Sequence, residues 1–187
     1  NRHDDYVEST LGLSNDERRG ITGDFAPAFR IASRAGLLAA PHAGELRGAE
    51  LVGEAIDSLG AQRIGHGVAS SQDPALVSRI VDRGITLEIC PASNVSLGVF
   101  PDLGAVPLRP LFEAGAGIAL GADDPLIFGS RLLEQYETAR TVHGFTDAEV
   151  AELSRASIRG SAAPDSVKAD LLSDVEAWLA APAERGS

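Results

Sequence analysis

Two histidines and a set of carboxylates sit where short apolar runs end. His42 closes "LLAAPH" and Glu45 follows three residues later. His66 stands between two glycines in "RIGHGV", Glu88 lies in "LEICPASN", and Asp123-Asp124 ends "GIALGADD". Imidazole and carboxylate are zinc donors, and a catalytic zinc takes about three protein ligands plus a water. Bound zinc lowers that water's pKa from about 15.7 to roughly 7, which yields a nucleophile at neutral pH. In such a site the histidines and aspartates at these strand ends are candidate donors, Asp123 among them. Glu45, one helical turn beyond His42, is placed to be a general acid or base. His66 is suited to hold and deprotonate water, and Asp124 to meet a substrate hydrogen bond. Plainer readings stand beside these. A histidine at a strand end often serves structure alone, Asp-Asp-Pro is an ordinary helix start, and Glu88 can simply pair with a basic neighbour. What favours chemistry is that all four positions fall at consecutive strand ends.

The elements that must hold these residues can be read from punctuation. "GLLAAPH", "QRIGHGV", "ITLEICP" and "GIALGAD" are apolar, bounded by Gly or Pro, and too short for helices, so they are expected to be buried strands. Between them lie helix patterns that end at Gly36, Gly60, Gly84 and Gly115, with Asp73-Pro74 as a helix start. Regular strand–helix alternation predicts an α/β fold, a parallel sheet covered by helices. The carboxyl ends of its strands build one site, in barrels and in open sheets alike. Beyond Asp124 the chain reads as helical. "PLIFGSRLLEQYETARTV" is expected to be one helix, Thr146 and Glu149 form a capping box, and a last helix carries Leu171, Leu172, Val175 and Leu179 along one side. With no low-complexity linker, residues 1–187 are expected to form a single domain.

Bulk properties narrow the function classes. A formal net charge of −11 argues against a nucleic-acid surface and against an anionic membrane. No apolar run reaches the roughly 20 residues of a membrane span, and no signal peptide is visible. The one cysteine, Cys90, leaves no internal disulfide and suits a reducing, cytoplasmic setting. The chain lacks methionine altogether and is read as part of a longer protein.

"PHAGEL", "RIGHGV", "LEICPASNVSLGV" and "ALGADDPLIFGS", in this order and spacing, resemble the adenosine deaminase family of the amidohydrolase superfamily. The likeness is greatest to its actinobacterial members and runs from "GLSNDERRG" to the C-terminus. It implies a (β/α)8 TIM-type barrel, of which strands five to eight and the C-terminal helices lie in this chain. It also implies one zinc ion at the carboxyl face and a small-molecule purine nucleoside as substrate. By the same resemblance, His42 and Asp123 would bind zinc, and Glu45 would protonate purine N1. His66 would position and activate the attacking water, Asp124 would meet N7, and Ser93-Asn94 would be scaffold of the site floor. The cytosine-type deaminases, with their P-C-x-x-C arrangement, are excluded by the single cysteine.

Two departures shape the expectation. The family draws two further zinc ligands from an H-x-H pair on its first strand, and this sequence has none; His3 stands alone and His143 lies in the helical C-terminal region. The N-terminal half of the barrel is therefore expected in the intact protein, outside this sequence. Many members also have "LAGDE" where this chain reads "LSNDE", which puts Asn15 at the position whose backbone N–H meets purine N3. Arg18 and Arg19 follow, and guanidinium recognises carboxylate bidentately. They suggest a 5′-modified substrate such as 6-aminodeoxyfutalosine, or else form only a solvated charge cluster. Adenosine is the default substrate. The rival is a non-catalytic barrel remnant that binds purine or a partner chain.

Overall fold

The computed structural model describes residues 10–181. In chain order the strands and helices are β1 (Thr10–Leu13), α1 (Ala26–Arg34), β2 (Leu38–Ala43), α2 (Ala49–Ser58), β3 (Arg63–His66), α3 (Pro74–Asp82), β4 (Thr86–Ile89), α4 (Pro91–Ser96), α5 (Leu108–Glu113), β5 (Gly117–Leu120), α6 (Pro125–Phe128), α7 (Leu132–Thr141), α8 (Asp147–Arg159) and α9 (Asp165–Ala180). The strands form one parallel sheet in the order β1-β2-β3-β4-β5. A sequential parallel order with a helix after each strand is the repeating unit of a (β/α) barrel. Among the described residues, β1 pairs only with β2 and β5 only with β4.

The four expected strands are present, and β1 is a fifth that the sequence did not announce. It is four residues long, contains Gly12, and offers only Leu11 and Leu13 to a small cluster with Phe29, Ala39 and Leu59. That is too little periodicity to stand out from a loop.

Register partners in a parallel ladder share a face, so the rows of the sheet read directly. Ile64, Leu87 and Ile118 form one row, at most 1% exposed. They pack against Leu51, Val52 and Ile56 of α2, Leu76 and Ile80 of α3, Leu108 and Leu111 of α5, and Val150 and Leu153 of α8. Each such buried side chain contributes about 1.5–3 kcal/mol. The other face carries Arg63, Thr86 and Gly117 in one row and Gly65, Glu88 and Ala119 in the next. Arg63 and Glu88 form an ion pair on it, so the plainer reading of Glu88 holds. A polar, small-residue face opposite an apolar one leaves room for a cavity.

Local signals explain the helix ends. The Asp73 carboxylate accepts from the N–H groups of Ala75 and Leu76 at 3.0 and 3.2 Å, and Pro74 fills the first turn, where its missing N–H costs nothing. The capping box holds: the N–H of Thr146 donates to Glu149 at 2.8 Å, and the N–H of Glu149 donates to Thr146 Oγ1 at 3.3 Å. The helix expected over 125–142 is instead two, α6 and α7. It breaks at Gly129–Arg131, and Glu134 caps the new start by accepting from the N–H of Arg131 at 3.0 Å. Helix α9 packs on α8, but its apolar side is only partly covered, and no residue of the helix is fully buried. No helix among the described residues is long and apolar enough to cross a membrane.

Candidate active site

The site begins with a pairing. Residue 42 lies opposite residue 65 and residue 43 opposite residue 66, so strict alternation puts His42 and His66 on opposite faces. The structure defeats that alternation. His66 ends β3 with φ of +62°, and its ring centroid lies 5.0 Å from that of His42, edge-on at 81°. The described non-glycine residues with positive φ are Asn15, His66 and Asp123, each a site candidate from the sequence. Left-handed backbone costs such residues on the order of 1–3 kcal/mol, a strain that clusters at functional sites.

Asp123 leaves β5 with φ of +54°. Its Oδ2 accepts from Ser93 Oγ at 2.6 Å. Asn94, the next residue of α4, places Nδ2 at 3.4 Å from Glu45 Oε1 and 3.3 Å from His66 Nδ1. Ser93 and Asn94 are fully buried. They do more than form a floor: from one short helix they touch Asp123, Glu45 and His66 directly. Asn94 Oδ1 has no partner, a costly state for a buried polar atom.

Burial sets the charge states. It pushes the Glu45 carboxyl up to about 7, and the charges of Asp123 and Glu17 add to the effect. It pulls the His66 imidazole down to about 4, helped by His42 and opposed by Asp123. The contact between His66 Nδ1 and Glu45 Oε1, at 3.4 Å, therefore joins a neutral imidazole and a carboxyl half-protonated near neutrality, and is not a full ion pair. Two titratable groups driven apart in this way suit an acid and a base.

Glu45, His66 and Asp123 each offer a donor atom, and these atoms lie within 4.8 Å of one another. His42 lines a cavity of about 230 Å³ together with His66, Asp123, Arg63 and Cys90. Imidazole and carboxylate donors at this separation fit a divalent ion such as zinc. The sequence named His42 and Asp123 as the metal pair; among the described residues, the group of three donors within 4.8 Å contains Asp123 with Glu45 and His66.

The rim is less gathered. Asn15, with φ of +94°, lines a neighbouring cleft of about 270 Å³ with His42, Glu17, Ile21 and Phe25. Arg18 is already engaged: its Nε and Nη2 donate to Asp16 at 2.7 and 3.1 Å, and Arg19 Nε lies 3.5 Å from the same carboxylate. Asp124 is the N-cap residue of α6, and its side chain makes no capping hydrogen bond. Its carboxylate is exposed at the strand end. His143 sits in the turn after α7, where its carbonyl accepts from Arg109, and His3 lies outside the described residues. Sequence reading missed Glu17, whose partners lie across the next strand–helix unit, and Gly65, whose role exists only once β2 and β3 pair. A larger apolar cleft of about 680 Å³ lies among α7, α8 and α9 and shares no lining residue with the strand-end cavity.

Comparison with known proteins gives the same direction. Residues 1–178 match the family model described as adenosine deaminase. A Streptomyces coelicolor protein named "Putative adenosine/adenine deaminase" is 62% identical over 171 residues, which are 91% of this chain and 50% of that protein. The crystal structure of an adenine deaminase from Arthrobacter aurescens superposes with a TM-score of 0.89 at 35% identity, over 92% of this chain and 53% of that one. An amidohydrolase from Burkholderia ambifaria with bound zinc superposes with a TM-score of 0.82 at 26% identity, over 90% and 47%. The chain spans about half the length of these relatives, and its sheet corresponds to half of their TIM-type barrel. With this sheet, these motifs and 62% identity to a relative so named, the chain belongs to the adenosine deaminase family.

Proposed function

We propose that the intact protein is a zinc-dependent hydrolase that removes the 6-amino group of an adenine ring, and that this chain supplies its acid, its base and part of its metal site. One observation carries the reading: Glu45, with its carboxyl pushed up to about 7, His66, pulled down to about 4, and Asp123 converge within 4.8 Å at or beyond the carboxyl ends of β2, β3 and β5 of one parallel sheet.

His42 and Asp123 would hold the zinc, with two more ligands from an H-x-H pair outside this sequence. Zinc bound there would supply a water of lowered pKa, poised to attack at neutral pH. His66, neutral above about pH 4, would be the base that takes a proton from the attacking water as the oxygen bonds to ring C6. Glu45 gives its proton to N1, so the ring takes up no net negative charge. His66 passes its proton to the amino group, the C6–N bond breaks, and ammonia leaves. The remaining hydroxyl proton returns to Glu45, leaving a 6-oxopurine. Ser93 holds the Asp123 carboxylate in place throughout. The Asn15 backbone N–H would meet N3, and Asp124 would lie on the N7 side of the ring.

Substrate choice turns on what hangs from the ring. Adenosine is the default, and the adenine-deaminase names of relatives make free adenine its direct competitor. A 5′-carboxylated nucleoside has less support, because Asp16 already occupies Arg18. The opposite shifts of Glu45 and His66, side by side, favour catalysis over a non-catalytic remnant that binds purine or a partner chain.

Ultraviolet assays of the intact protein with adenosine, adenine and 6-aminodeoxyfutalosine give the three kcat/KM values. Glu45→Gln should lower turnover by about 10²–10⁴-fold while the zinc content stays whole, since it removes only the general acid. Wild-type turnover in that variant would falsify the assignment. Chelation should abolish activity and added zinc restore it.

A further inference from the structure

The segment that carries Glu45, residues 44–47, is an irregular link between β2 and α2. Such links normally leave their N–H groups to water, yet here a single distant side chain collects them. Glu17, in the loop after β1, accepts from the N–H of Gly44 at 2.9 Å through Oε2, and from the N–H groups of Leu46 and Arg47 through Oε1, the latter at 2.6 Å. Of the four N–H groups in the segment, the remaining one belongs to Glu45 itself. Charge-assisted bonds of this kind are roughly twice as strong as neutral ones.

The segment is held from its other side as well. The Gly44 carbonyl accepts from the N–H of Ala69 at 3.0 Å. Gly44 has φ of +73°, and a Cβ there would lie 2.4 Å from Val52 Cγ2, so the backbone is pressed against α2 with no space for a side chain. The link is clamped between a carboxylate on one flank and packed apolar atoms on the other. From this clamped backbone the Glu45 side chain reaches His66 and Asn94.

Resting on the deaminase reading, we propose that Glu17 is a positioning residue for the catalytic acid: its carboxylate fixes the backbone of residues 44–47 and thereby the placement of the Glu45 carboxyl. Its hydrogen bonds among the described residues go to backbone N–H groups of that segment. Its negative charge also adds to the upward push on Glu45.

The test uses the intact zinc-loaded protein and the variants Glu17→Gln and Glu17→Asp, alone and combined with Glu45→Gln. Glutamine keeps the size but turns an N–H donor toward groups that are themselves donors. Amide hydrogen exchange at Gly44, Leu46 and Arg47 should speed up by more than about tenfold in Glu17→Gln, because local opening becomes easier. Its kcat should fall by about 10- to 100-fold, the cost of a misplaced reacting group, with KM changed by less than about threefold. Glu17→Asp should recover part of that loss. In the Glu45→Gln background, adding Glu17→Gln should change the residual rate by less than about twofold, since residues acting as one unit are not additive. Equal losses in both backgrounds would mean that Glu17 supports only the fold and would overturn the proposal, as would unchanged amide exchange. If the unmutated protein deaminates nothing, the deaminase reading fails, and the exchange rates still decide whether Glu17 holds the loop.

Discussion

Gly65 faces His42 across the β2–β3 ladder at the limit of contact: a Cβ on residue 65 would lie 2.2 Å from His42 Cδ2 and 2.9 Å from its Nε2. The first glycine in "RIGHGV" is there for its neighbour's ring, not for its own backbone. Gly65→Ala must therefore displace the imidazole or the strand. We expect metal binding about 10- to 100-fold weaker, as when a residue that orients a ligand is changed. We also expect a loss of about 1–3 kcal/mol in stability from overpacking. Metal titration and thermal melting of the variant check both, and full zinc affinity would show that His42 is no ligand.

The pH dependence follows from the two shifted groups. Catalysis needs Glu45 protonated and His66 neutral. With Glu45 raised to about 7 and His66 lowered to about 4, the productive form dominates between those values. In the free enzyme, kcat/KM should rise as pH climbs through about 4, hold a plateau, and fall tenfold per unit above about 7. Activity that keeps rising above pH 7 would reverse the acid and base roles.

A stability prediction concerns the far side of the fold. Glu149 accepts from Arg109 Nη1 at 2.6 Å and from the N–H of Thr146 at 2.8 Å, while the Arg109 guanidinium lies 3.9 Å from the Phe145 ring centroid. The Arg109 hydrogen bond, followed by that of Thr146, holds the Glu149 carboxyl down at about 2, below its ordinary 4.5. A depressed carboxyl stabilises the fold above its unfolded value, and the contribution is lost as pH falls toward the folded one. Glu149→Gln should therefore lower the denaturant midpoint at pH 7, and the gap from the unmutated protein should close between about pH 4.5 and about 2. A gap that stays constant over that range would mean that the ion pair contributes nothing.

The residues themselves announce a good part of this protein. Alternating apolar runs and helix patterns, punctuated at Gly36, Gly60, Gly84 and Gly115, are enough to expect a parallel sheet, because strand and helix periodicity are set by hydrogen bonds between near neighbours in the chain or by a repeated face. The same local logic marks Asp73-Pro74 and Thr146–Glu149 as helix starts. The types of side chain at the strand ends were legible for the same reason.

What local pattern could not supply is whatever depends on partners distant in the chain. The fifth strand, Thr10–Leu13, exists because β2 offers it a ladder. His66 and Asp123 turn toward each other only because their strand ends adopt left-handed backbone, and no sequence rule assigns that conformation to histidine. Ser93 and Asn94 reach the acid cluster, and Glu17 clamps the segment that carries Glu45, across gaps of many residues. Composition and periodicity fix which groups are present and on which kind of element. Strand register, backbone handedness and long-range hydrogen bonds decide which of them meet, because those terms are summed over the whole packed molecule rather than along the chain.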